Sequence, residues 1–180
     1  MAYTQENRLM AIDTPFGEDA LLLQGFTGQE GMSQLFHFHL DLLSEDPAVP
    51  FNRIVGQRVT LRILLPDGSH RYINGCVSRF AQTGSDGRFT YYRAEVVPWL
   101  WFLTRTADCR IFQNMTVPDI ILKIFKDLGF SDVRNALEGG FEPRDYCVQY
   151  RETDFNFVSR LINTFAKVGR AVRQPRNSNC

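Results

Sequence analysis

Hydrophobic and polar positions alternate with a period of two through the first half of the chain. In QLFHFHLDLL, Phe36, Phe38, Leu40 and Leu42 alternate with His37, His39 and Asp41. That pattern predicts a strand with one apolar and one polar face. RVTLRILL repeats it, with Val59, Leu61, Ile63 and Leu65 set against Arg58, Thr60 and Arg62. The turn signal PDGS (Pro66 to Ser69) follows, then a return strand HRYINGCVSRFAQ, a second turn TGSDGR and a third strand FTYYRAEVV. Proline presets φ and Asp-Gly tolerates a tight reversal, so residues 58–97 read as a three-stranded antiparallel meander. An earlier strand, DALLLQGFTG, is expected to pair with LFHFHLDLL. Gly75, inside the second meander strand, predicts a bulge or the close approach of another backbone. Long strands with such a glycine suit a curled sheet or barrel better than a flat sandwich. Aromatic residues on both faces of the third strand (Phe89 and Tyr91 against Tyr92) suggest that neither face is fully wet.

The period changes after Pro98. PWLWFLTRTADCRIF reads as a short helix or turn followed by a bridging strand, with Trp99 and Trp101 as core anchors rather than ligand stackers. NMTVPDIILKIFKDLGF predicts a helix. Thr116 is the N-cap, Pro118 lies in the first turn and Asp119 completes the cap. Its apolar stripe is Val117, Ile120, Ile121, Ile124 and Leu128, with Lys123 and Lys126 on the wet side. Gly129 ends it, and Phe130 folds back onto Phe125. SDVRNALEGGFEPRD is a loop and YCVQY a short strand. Thr153 or Asp154 caps a last helix carrying Phe155, Val158, Leu161, Ile162 and Phe165 on one side. The expected architecture is mainly β with some α. An antiparallel β-barrel spans residues 1–110, the start of a small α+β lobe spans 111–162, and residues 163–180 form a basic, disordered tail.

Charge sharpens the division. The chain has 20 basic and 20 acidic residues; five of the basic ones and none of the acidic ones lie in 160–180, so residues 1–159 hold 15 against 20. A mildly acidic body is not a nucleic-acid surface. The four cysteines (Cys76, Cys109, Cys147 and Cys180) are scattered and form no CxxC, which favours reduced thiols over disulfide staples or zinc fingers. MAYTQENRLM has no apolar run, so no signal peptide is expected, and no stretch approaches the roughly 20 apolar residues of a membrane span.

Candidate chemistry is sparse. His37 and His39 share one strand face and supply two corners of a metal site. Asp41 is the next residue on that face, but strand rise puts it about 7 Å further on. The reading is therefore solvated or interface histidines, and His70 beside a turn is exposed. Three carboxylate pairs were weighed as acid/base partners: Glu18 with Asp19, Glu45 with Asp46, and Asp145 with Glu152. Adjacent acids point to opposite strand faces or sit in loops, and nothing suggests the raised pKa that acid catalysis needs. GxSxG, HExxH, P-loop and GxGxxG signatures are absent. A Cys/His nucleophile has no supporting local sequence. No residue is assigned a catalytic, cofactor or metal role, and no cofactor is expected.

Several strings carry a resemblance. GQEGMSQLFHFHLDLLSED, VGQRVTLRILLPDGSHRYINGCVSRF, YYRAEVVPWLWFLTRTADCRIFQNMTVPDIILKIFKDLGF and YCVQYRETDFNFVSRL stand in the order and spacing of the N-terminal part of VgrG proteins. These are the valine-glycine repeat spike proteins of type VI secretion, themselves similar to the hubs of contractile phage baseplates. The resemblance runs from about Asp19 to Leu161. It implies a hub-type β-barrel related to the secretion-tube ring subunit, followed by the beginning of a second lobe. It also implies assembly as a homotrimer and docking on the tube ring protein (haemolysin-coregulated protein) and on baseplate proteins. It implies no enzymatic residues, no nucleic-acid partner and no stable membrane insertion. The protein would reside in the bacterial cytoplasm during assembly and then be exported by the type VI machine. After DFNFVSRL the family continues with an acidic segment and a further strand, whereas this chain reads INTFAKVGRAVRQPRNSNC. That departure implies a truncated form lacking needle and effector, its end arising from a frameshift or an artificial terminus rather than a purposeful basic tail.

Two other classes remain as alternatives. An OB-type barrel would bind single-stranded nucleic acid with strong salt dependence. A small hydrolase would gather carboxylates of perturbed pKa in a barrel mouth.

Overall fold

The computed structural model describes residues 3–131, 133–137 and 140–166, with side chains to Asn163. They fall into two compact units divided between Trp99 and Leu100.

The first unit is built on one six-stranded antiparallel sheet. Its strands are β1 (Met10–Asp13), β2 (Leu22–Gln29), β3 (His37–Ser44), β4 (Arg58–Leu64), β5 (His70–Ser85) and β6 (Thr90–Val97). They lie in the order β1-β4-β5-β6-β3-β2. The meander β4-β5-β6 forms as the alternation predicts, and β2 pairs with β3 as expected. β1 was not anticipated; only four residues long, it lies against β4. The 16 residues of β5 serve two partners in succession. His70 to Cys76 pair with β4, and Cys76 to Ser85 pair with β6. Register shifts between Val77 and Arg79 and between Gln82 and Gly84 accompany this change of partner, since an extra residue on one strand increases bend and twist. The sheet thus curls until its edge strands β1 and β2 meet. Its inner face is packed by Ile12, Leu23, Leu40, Leu61, Val77, Ala94 and Val96, all at most 2% exposed.

Two glycines make the curl possible. A Cβ at Gly75 would lie 3.0 Å from Val97 O, the close backbone approach the sequence suggested, and 2.4 Å from the Val96 Cγ1 side-chain atom. At Gly28 the intruder is aromatic: a Cβ would lie 2.0 Å from Cδ1 of Phe38, its cross-strand partner. The Phe38 ring is buried between Phe26 and Phe36, with centroids at 5.9 and 5.4 Å. Gly28→Ala is therefore expected to destabilise the first unit by about 1–3 kcal/mol through overpacking. Urea unfolding measures this, and an unchanged midpoint would show that Phe38 has room to move.

The turns are held by acids acting as acceptors. In the β4–β5 turn, Asp67 Oδ1 accepts from Ser69 N (2.9 Å) and Ser69 Oγ (2.6 Å), with Gly68 at φ +81°. In the β5–β6 turn, Asp86 Oδ1 accepts from Phe89 N (2.7 Å) and Arg88 N (2.9 Å), while Tyr91 OH donates to Oδ2 at 2.7 Å. The Phe89 amide chiefly, then the Tyr91 hydroxyl and the Arg88 amide, hold the Asp86 carboxyl below the usual carboxylate range. Because the folded value is depressed, the turn's stabilisation is present above the ordinary carboxylate pKa and is lost as pH falls through the folded value. Carboxyl-carbon NMR should show Asp86 titrating below the ordinary aspartate range. Titration of Asp86 at an ordinary value would mean that these bonds do not persist in solution.

The second unit holds a two-stranded antiparallel ribbon and two helices. β7 (Ala107–Phe112) pairs with β8 (Cys147–Thr153), and α2 (Asp154–Ala166) packs on β8 and against α1 (Val117–Asp127). α1 follows its sequence signals closely. Thr116 Oγ1 accepts from Asp119 N at 3.3 Å. At the other end Phe130 N reaches Phe125 O and Gly129 N reaches Lys126 O, both at 2.9 Å, with Gly129 at φ +84°. That pair of bonds is the Schellman stop.

Three expectations need adjustment. The barrel domain was expected to span residues 1–110, a bound that falls within β7. That strand instead pairs with β8, and the division between units comes earlier, after Trp99. The buried stripe of α2 is Asp154, Phe157, Val158 and Leu161, with Phe155 and Ile162 only half-buried. Phe157 takes the inner position because its ring stacks on Phe112 from β7, centroids 5.8 Å apart. The helix also continues to Ala166, past the expected start of the tail at 163. The rest of the tail, 167–180, lies outside the described residues.

Candidate functional site

The outer face of β3 and β6 gathers the polar chemistry of the first unit. β3 alternates buried Phe38, Leu40 and Leu42 with outward His37, His39 and Asp41. Register then decides each partner. His39 stands opposite Glu95, and Asp41 opposite Arg93. Asp41 is engaged by Arg93, whose Nε lies 3.1 Å from Oδ1. Glu95 Oε2 lies 3.6 Å from His37 Nε2, and its Oε1 lies 3.6 Å from Arg79 Nη1. The two imidazole rings tilt against each other with centroids 4.5 Å apart. One donor atom from each of His37, His39 and Glu95 falls within 4.8 Å of the others. Sequence reasoning looked for a third donor along β3 and found none within reach, since Asp41 lies about 7 Å further along the face. The donor the fold supplies is Glu95, 56 positions beyond His39 and visible only once the β3–β6 register is known.

Of the paired carboxylates, Asp19, Asp46 and Glu152 serve local structure. Asp19, Glu45 and Asp46 do line one cleft of about 380 Å³, together with Tyr3, Phe16, Ser44 and Arg53. Asp19 Oδ1 accepts from Gln5 N at 2.7 Å, however, and Asp46 Oδ1 accepts from Ala48 N at 2.8 Å. Arg53 sits over the Phe16 ring at 5.5 Å. Both bonded carboxylates thus fix loop backbone. In the second unit Glu152 is paired with Arg160, so the first arginine of the basic end is tied to the folded body. His70 is exposed and tilts on Tyr72 at 6.1 Å. Trp99 and Trp101 are half-buried rather than full core anchors, and Arg105 lies over the Trp101 ring at 5.4 Å. Cys76 and Cys147 are buried and Cys109 is exposed.

Two buried polar arrangements were invisible in the sequence. Gln5, 5% exposed, lies between the edges of the curled sheet. Its Oε1 accepts from Ile12 N of β1 (2.9 Å) and Leu23 N of β2 (3.1 Å), and its Nε2 donates to Ile12 O (3.1 Å). In the second unit Asp154, 2% exposed, anchors α2 to the ribbon. Its Oδ1 accepts from Gln149 Nε2 (2.7 Å) and from Arg110 Nη2, and its Oδ2 accepts from Thr106 Oγ1 (2.6 Å). Arg110 Nε also donates to Gln149 Oε1 at 3.0 Å. Among the described residues no buried side-chain N or O lacks a hydrogen-bond partner. These networks are fully satisfied and structural.

A curled antiparallel sheet, followed by a helix-bearing ribbon whose polar interior is committed to holding the fold, defines a mainly β protein with some α. The chain belongs to the phage tail baseplate hub (GPD) family, whose description matches residues 29–164. It is 48% identical over 162 residues to the type VI secretion system spike protein VgrG1c of Pseudomonas aeruginosa, covering 90% of this chain and 22% of that protein. The corresponding figures for the spike protein VgrG3 of Vibrio cholerae are 33% identity, 80% of this chain and 15% of that protein. Among solved structures, the E. coli c3393 protein, described as a type VI secretion component with similarity to T4 tail proteins gp27 and gp5, superposes with a TM-score of 0.61. It is 27% identical over 79% of this chain and 42% of its own. The chain therefore spans about a fifth of the length of the curated relatives it matches. The expected kinship and the mainly β hub architecture both hold.

Proposed function

We propose that this chain is the hub portion of a type VI secretion spike, a structural part that assembles as a homotrimer and seats on the ring protein of the secretion tube and on baseplate proteins. The observation that carries this reading is unbroken similarity to spike proteins across both units, 48% identity along 90% of the chain. Fold points the same way. The long strands are spent on a curled sheet, and three of the six acids considered for catalysis, Asp19, Asp46 and Glu152, are bonded to backbone amides or to an arginine. In this role the chain turns over no substrate. It would assemble in the bacterial cytoplasm and leave through the type VI machine, and no described helix is long and apolar enough to cross a membrane.

Light scattering across a range of concentrations tests the assembly step, with the tube ring protein added in a second series. Growth toward three times the chain mass, or a stable complex with the ring protein, is the expected result. A strict monomer that ignores the ring protein would refute the hub reading. Salt-sensitive binding to single-stranded DNA in its place would favour the OB-type alternative.

A further inference from the structure

We propose that His37, His39 and Glu95 form a binding site for a divalent transition-metal ion of the zinc type on the outer face of the first unit. A tetrahedral zinc ion with bonds of about 2.0–2.1 Å sets its donors roughly 3.4 Å apart. His37 Nε2 and Glu95 Oε2 lie 3.6 Å apart, and one donor atom from each of the three residues falls within 4.8 Å of the others. The supporting backbone is well fixed, because β3 is an inner strand paired on both sides, with β2 and with β6. The donor set also selects the ion. Two imidazoles and one carboxylate suit zinc, cobalt, nickel or copper, whereas calcium and magnesium take all-oxygen shells. Three protein donors leave a position open to water, as in an accessible zinc site. The site is reachable, since the His37 side chain is 45% exposed and that of Glu95 25%. Arg79 competes for Glu95, but its side chain is 75% exposed and its contact is 3.6 Å long. Such a surface pair yields readily to a metal ion.

The test is cobalt and zinc titration of the full untagged chain with Cys109 and Cys180 changed to serine, since thiols bind the same ions. Saturable one-to-one binding is expected, with a four-coordinate cobalt absorption band displaced by zinc. His37→Gln, His39→Gln and Glu95→Gln should each weaken zinc affinity by at least about tenfold, the least that loss of an outer-shell partner alone costs. Circular dichroism checks that each variant folds. A second measurement needs no variant: nickel should broaden the imidazole proton signals of His37 and His39 and spare His70, the third histidine of the chain. Absence of saturable binding, equal broadening of His70, or undiminished affinity in any one folded variant overturns the three-donor site.

Discussion

Asp154→Ala is expected to lower the stability of the second unit by about 3 kcal/mol, the lower end for breaking a buried ion pair, because Arg110 keeps some access to water. Asp154 sits at the first turn of α2 and accepts from Gln149, Arg110 and Thr106, while its own amide donates to Thr106 O at 3.0 Å. Removing the carboxylate leaves the Gln149 amide, 0% exposed, without one of its acceptors and leaves a guanidinium with a side chain 21% exposed facing a void. Asp154→Asn should be milder, since one oxygen survives. The informative variant is the double exchange Asp154→Leu with Arg110→Met. Replacing both charges by apolar groups avoids an unpaired buried ion and should recover part of the loss. Urea unfolding of Asp154→Leu, Arg110→Met and the double closes the cycle. Strict additivity would show that the pair is not coupled.

Gln5→Leu is expected to cost the first unit about 3–4 kcal/mol, because each buried backbone group left without a partner costs roughly 1–3 kcal/mol. The Ile12 and Leu23 amides and the Ile12 carbonyl all lose their bond to the same side chain. Leucine conserves volume, so the loss isolates hydrogen bonding from packing. Gln5→Glu retains the acceptor for both amides but removes the donor to Ile12 O and introduces a buried charge, so it too should destabilise. Amide exchange gives a site-specific readout. In Gln5→Leu the Ile12 and Leu23 amides should exchange far faster than those at the β5–β6 pairing. Unchanged protection there would mean that β1 and β2 are held by packing alone.

What could be read along the chain was whatever depends on near neighbours. The meander showed itself because alternation and the Asp-Gly turns act within a few residues. α1 showed itself because Thr116, Asp119 and Gly129 cap it locally. The meeting of β3 with β6 did not, since it joins segments about 55 residues apart and its register passes through the bulges of β5. Glu95 therefore could not be assigned to the histidines. Nor was there any signal at Gln5, a polar residue in a polar opening stretch whose value comes from two strands on either side of it. The apolar stripe of α2 was misplaced for a related reason. Phe155 and Phe157 are equally hydrophobic, and only the position of Phe112 decides which ring turns inward.

The β7–β8 ribbon has a consequence for handling the protein. Neither strand has a second strand neighbour among the described residues, so each leaves an open row of main-chain groups, of which Val148 O and Glu152 O already accept from Arg160 Nη2 and Gln149 Nε2. Ile111, Tyr146 and Tyr150 lie exposed on or beside it. Rows of this kind recruit foreign strands and promote aggregation. At high concentration, β-augmentation between copies through this ribbon would compete with the proposed trimer, and the exposed charges of Asp108 and Arg151 oppose it.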